Sequence, residues 1–136
     1  MKAVPFYRLR ADGNRALVLI NIDNAEYIIG KENTWTIQNN AMVPPVVWGS
    51  REEIKKALRR SWIETQTHDG GLTVFISLAK IVQCGYLKNL VDSAKDNAEI
   101  KINFFAYVFQ SGQMILTGDD YFKVYSQLQE FERGYR

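Results

Sequence analysis

Apolar and polar positions alternate with a period of two along much of this chain, and clusters of Gly, Asn and Asp interrupt the alternation at short intervals. That rhythm predicts half-buried strands joined as hairpins. Residues 3–10 (AVPFYRLR) and 15–22 (RALVLINI) flank the turn signal Asp12-Gly13-Asn14 and are expected to pair. In the second of them Val18, Ile20 and Ile22 project one way and Leu17 and Leu19 the other, which predicts a central strand covered on both faces. Residues 25–29 and 33–38 form the next pair around Gly30-Lys31-Glu32, with Trp35 and Ile37 inward and Thr34, Thr36 and Gln38 outward. The stretch 41–49 (AMVPPVVWG) cannot be helical. Pro44 and Pro45 lack amide hydrogens, so it is expected as an apolar extended linker that could join a sheet only at an edge.

The period then changes. Ser50-Arg51-Glu52-Glu53 reads as a capping box opening a helix over 51–60. Residues 61–67 and 72–77 bracket His68-Asp69-Gly70-Gly71 as a second clear hairpin. From Leu78 to Lys95 the apolar positions spread around the whole helical wheel, which argues against one helix. A turn at Leu78-Ala79, a strand over 80–84 and a helix over 86–95 fit better, because Leu87, Leu90, Val91 and Ala94 share one helical face. Residues 98–109 (AEIKINFFAYVF) make the strongest strand, paired with 114–117, and a last helix over 119–133 presents Tyr121, Val124, Tyr125, Leu128 and Phe131. The expected fold class is therefore α+β: a mainly antiparallel sheet built from hairpins, with about three short helices packed on it, in a single domain spanning 1–136.

Composition narrows the function classes by exclusion. No apolar run reaches the roughly 18 residues of a membrane span, and the N-terminus lacks a signal-peptide pattern, so a cytoplasmic protein with no membrane partner is expected. Seventeen Lys and Arg against fifteen Asp and Glu give a net charge of +2, too balanced to make nucleic-acid binding the first expectation. Local basic clusters occur at Lys2, Arg8, Arg10 and Arg15 and at Arg51, Lys55, Lys56, Arg59 and Arg60. Ordinary helix chemistry explains most of the second, with Glu52 and Glu53 at the positive end of the helix dipole and Arg59 and Arg60 at the negative end.

Residues that could carry chemistry are sparse. Cys84 and His68 supply a nominal nucleophile and base, yet Cys84 sits in an apolar segment and His68 at a hairpin tip. One histidine and one cysteine cannot build a His- or Cys-rich metal site, and no cofactor is expected. Glu99-Ile100-Lys101 has the E-x-K spacing that resembles PD-(D/E)XK nucleases; the resemblance would imply a metal-dependent nuclease centred on Glu99 and Lys101, but no matching aspartate precedes them on a strand. Phe105-Ala106-Tyr107-Val108 resembles the aromatic signature of RNA-recognition motifs, although Phe104 stands where a glycine is usual and Asn103 where a basic residue is. That resemblance would imply a single-strand platform made of Lys101, Phe105, Tyr107 and Phe109, assisted by Lys55 and Arg59 of the basic helix. A sheet buried on both faces accounts for the same aromatic residues.

The leading expectation is a small non-catalytic binding or regulatory protein that contacts a macromolecule, a protein before a nucleic acid. Its anchor is expected at Val46, Val47 and Trp48, in the proline-stiffened segment, with Trp48 partly exposed.

Overall fold

The computed structural model describes residues 3–58, 61–90 and 104–134. The first hairpin joins β1 (Ala3–Leu9) to β2 (Arg15–Asn21), and its turn is closed by Arg10 N–H on Asn14 O at 2.8 Å and Gly13 N–H on Arg10 O at 3.0 Å. Gly13 takes a φ of 85°, which is why a glycine stands there. The second hairpin, β3 (Tyr27–Lys31) with β4 (Thr34–Gln38), turns at Glu32-Asn33, one step later than the glycine suggested. Gly30 stays inside β3 opposite Trp35, because a Cβ at that position would lie 2.7 Å from the indole.

Two expectations for this half need correction. Val46–Trp48 is a strand, β5, lying between β1 and β4 in the interior of the sheet and not at its edge. Both prolines end before the paired residues begin, and Pro45 contributes only its carbonyl, accepting from Ile37 N–H at 2.9 Å. Conversely β2, expected to be central, is the outermost strand of the order β2-β1-β5-β4-β3-β7-β6. Leu17 and Leu19 are 62% and 68% exposed, so apolar residues on both sides of a strand did not mean cover on both sides.

Helix α1 (Arg51–Ala57) begins with the capping box: Ser50 Oγ accepts from Glu53 N–H while Glu53 accepts from Ser50 N–H. That second bond is the largest of the influences holding the Glu53 carboxyl below the ordinary glutamate range. The basic side of α1 leans on the sheet, where Arg51 and Lys55 both pair with Glu64 of β6 (Trp62–Gln66). β6 pairs with β7 (Thr73–Ser77), completing a seven-stranded antiparallel sheet. After a single 3-10 turn, β8 (Ile81–Tyr86) leads into α2 (Leu87–Leu90), as the split at Gly85 suggested. β9 (Phe105–Phe109) and β10 (Met114–Thr117) join β8 in a second, three-stranded sheet ordered β10-β9-β8, and α3 (Tyr121–Gly134) ends the described chain. This mainly antiparallel α+β arrangement is the expected fold class.

Strand alternation sends side chains to two cores. On one face of the large sheet, Phe6, Ile28, Trp35, Ile37, Val47 and Phe75 pack with Ile54 of α1. On the other, Tyr27, Ile63, Val74 and Ile76 meet Phe105, Tyr107 and Phe109 of the small sheet and Val124 of α3. The second core draws only on β3, β7 and β6, so the small sheet covers only that half of the large one. Polar pins fix it there: Glu26, 1% exposed, accepts from the Ser111 backbone and hydroxyl, and Tyr27 donates to Gln113. Asp119 ties Tyr107 of β9 to Thr65 of β6, and His68 N–H donates to Leu116 O at 2.9 Å. Among the described residues, no helix is long and apolar enough to cross a membrane.

Candidate partner-binding face

Among the described residues nothing covers the β2-β1-β5 part of that second face, and cross-strand register shows what stands on it. Pro5 faces Leu19, Tyr7 faces Leu17 on one side and Trp48 on the other, and Leu9 faces Arg15. Val46 lies two residues from Trp48 and therefore on the same face. All of these are exposed except Trp48, which is half-buried, and Leu9 is still 53% exposed. Most of these positions are aliphatic or aromatic, and they are contiguous across three strands, which distinguishes them from the scattered single hydrophobes of an ordinary surface.

Arg15 organises the middle of the patch. Its guanidinium carbon lies 4.2 Å from the centre of the Trp48 ring and 5.2 Å from that of Tyr7, while Nη1 reaches Glu53 at 3.3 Å. The cation lies over two aromatic rings, and its charge is balanced by Glu53 of α1. A partner meeting this surface would find a large, partly pre-ordered anchor, the kind of position at which binding energy concentrates.

Of the residues expected from sequence to form the anchor, Val46 and Trp48 are on this face, and Trp48 is partly exposed as expected. Val47 is corrected: it is 1% exposed, because the residue between them points through the sheet into the first core. Leu17, Leu19, Tyr7 and Leu9 were missed as surface residues, although the doubly apolar pattern of β2 carried the signal.

The expected base-stacking platform is also corrected. Phe105, Tyr107 and Phe109 are 1%, 0% and 1% exposed. Phe105 packs edge-on to Tyr107 at 5.1 Å and Phe109 against Tyr27 at 5.3 Å, so their ring faces are taken by the inter-sheet core. Lys55 is exposed on α1 and paired with Glu64. Arg59, Glu99 and Lys101 lie outside the described residues.

A polar cleft of about 400 Å³ lies between β6 and the start of α3, lined by Glu64, Thr65, His68, Asp119 and Lys123 among others. Its central groups are already engaged. Asp119 accepts from the Thr65 hydroxyl at 2.8 Å and the Tyr107 phenol at 2.6 Å. Burial, and next the bond to Asp119, raise the Tyr107 phenol above the usual tyrosine range, so it donates to the carboxylate at any ordinary pH. His68 packs at a tilt against Phe104, ring centres 4.7 Å apart, and among the described residues no cluster of His, Cys, Asp and Glu is arranged to hold a metal ion.

Cys84 stands on β8 opposite Tyr107, half-buried, and burial pushes its thiol upward, away from a reactive thiolate. Alkylation by iodoacetamide at neutral pH is therefore expected to be at least about tenfold slower in the folded protein than in urea, tracking thiolate character and access. Equal rates would show an accessible thiol of ordinary thiolate character and overturn this reading of Cys84. Comparison with known protein families, with curated protein sequences and with solved structures gives no match.

Proposed function

We propose that the protein is a small non-catalytic binding protein, and that the exposed β2-β1-β5 face is where another polypeptide docks through apolar side chains. One observation supports this reading above the rest: the β2-β1-β5 part of the second face carries contiguous exposed apolar side chains that no described residue covers, whereas the second core packs over β3, β7 and β6. The partner-facing residues are Tyr7, Leu9, Leu17, Leu19, Val46 and Trp48, with Arg15 holding the Trp48 ring in place. A partner that buries Trp48 gains a tryptophan whose rotamer freedom is already restricted, so less entropy is lost on docking.

The proposal predicts that stability and binding separate at Trp48. Trp48→Ala is expected to change unfolding free energy by less than about 1 kcal/mol, since it removes a partly exposed ring and a surface cation–π contact. Peptides selected on the immobilised protein from a random displayed library supply the binding probe. Trp48→Ala and Tyr7→Ala are expected to weaken them by at least about tenfold, or 1.4 kcal/mol, while Lys123→Ala in the polar cleft leaves them unchanged. Selected peptides that ignore both face variants would overturn the proposal. So would a loss of about 3–5 kcal/mol of stability on truncating Trp48, which would mark it as core.

A further inference from the structure

The open face ends at β2, and among the described residues that strand is also an open edge. Edge strands present unpaired amide and carbonyl groups, and proteins ordinarily blunt them with charge, proline, bulges or brevity. The other edges here show such devices. β8 has a register irregularity between Ile81 and Gln83, β10 has four residues and bridges to Thr67 through Thr117, and β6 carries Glu64 paired to α1. β2 has none of them: seven residues, RALVLIN, fully paired to β1 in unbroken register, with no proline and one charge at its end.

The turn shows which backbone groups face outward. Arg10 N–H donates to Asn14 O, so that pair is hydrogen-bonded, and alternation along an antiparallel ladder makes 8/16, 6/18 and 4/20 the bonded pairs of β1 with β2. Pro5, which has no N–H to give, falls as it must on a non-bonded pair with Leu19. The backbone groups of Arg15, Leu17 and Leu19 therefore point away from β1, toward the open edge.

We propose that this edge pairs with β2 of a second copy of the chain, antiparallel about a two-fold axis at Val18. The strand is close to self-complementary about that residue. Leu17 meets Leu19 of the second copy and Leu19 meets its Leu17, both as hydrogen-bonded pairs, so four backbone bonds form at the centre. Ala16 meets Ile20 and Val18 meets Val18 on the opposite side, where Val18 and Ile20 are only half-buried in the single chain. Arg15 meets Asn21, so no like charges face one another. A closed two-fold pairing uses each β2 edge once and leaves no β2 edge free to recruit a third copy, which is how such an edge stays soluble. It joins two seven-stranded sheets into one and merges two open apolar faces into one continuous surface. The pairing stands on the edge strand and not on the partner-binding proposal.

Sedimentation velocity over a concentration series tests it, with circular dichroism checking the fold of each variant. The wild-type protein is expected to be dimeric near about 100 μM and to dissociate on dilution toward about 1 μM, in keeping with a small interface. L17K/L19K places lysine opposite lysine in both central pairs and is expected to weaken dimerisation at least about tenfold, as is L17E/L19E. Both side chains are exposed, so the fold should survive. An equimolar mixture of the two variants is expected to restore a dimer, because lysine of one copy then meets glutamate of the other in both central pairs. Trp48→Ala leaves the dimer intact, which separates this proposal from the one above. A wild-type protein that is monomeric throughout, a dimer that survives both double substitutions, or open-ended growth into larger assemblies would each overturn it.

Discussion

Trp35→Ala is expected to remove about 3–5 kcal/mol of folding stability, the loss typical of a large aromatic truncation in a core. The ring is 1% exposed, packs on Phe75 at 5.5 Å and donates its Nε1 hydrogen to Gly49 O at 2.9 Å. Its neighbour across the hairpin is Gly30, which has no side chain to swing into the vacated space. The cavity would therefore stay open, and a cavity that cannot collapse puts the cost at the high end of the range. The Gly49 bond also anchors the segment entering α1, so the cap at Ser50 should fray with it. Urea unfolding of the variant measures the loss, and a value under about 1 kcal/mol would show that Trp35 does not organise the first core.

The second large effect is expected at the pin between the sheets. Asp119→Ala takes the acceptor from the Tyr107 hydroxyl, which is completely buried, and from Thr65 on the opposite sheet. Hydrogen bonds to a charged acceptor contribute about 1.5–3 kcal/mol, and a buried donor left without one adds its own penalty, so a loss of about 3 kcal/mol is expected. Tyr107→Phe should cost less, because Asp119 keeps Thr65. In the double variant the orphaned hydroxyl is gone, and the two losses should fall short of additive by about 1 kcal/mol or more. Strict additivity would mean that the two groups do not interact.

Much of the fold was legible because turns and caps are local. Gly13, the Asp69-Gly70-Gly71 run and the Ser50–Glu53 box each specify their own geometry within a few residues, and hairpins follow from them. The lateral order of strands was not legible. β5 sits between β1 and β4 because of pairings made at a distance, and its prolines, placed just before the paired residues, gave the opposite impression. The same cause hid half of the candidate face. Leu17 and Leu19 look like core residues in sequence, and only the position of the small sheet over the other end of the large one shows that they are bare. Val46 and Trp48 were legible because two prolines isolate them from helix and from ordinary hairpin. Val47 was misassigned for want of the strand alternation that β5 imposes. The aromatic run of β9 was ambiguous by nature, since alternation places rings on one face without saying whether that face meets solvent or another sheet.

Amide shift mapping of the labelled protein, titrated with a peptide selected on it, tests the central claim most directly. Large shifts are expected at Tyr7, Leu9, Leu17, Val46 and Trp48 and on the Trp48 indole N–H, with none at Gln66, His68 or Lys123 around the polar cleft. Shifts confined to the cleft, or a peptide that moves neither region, would contradict the assignment of the open sheet face as the binding surface.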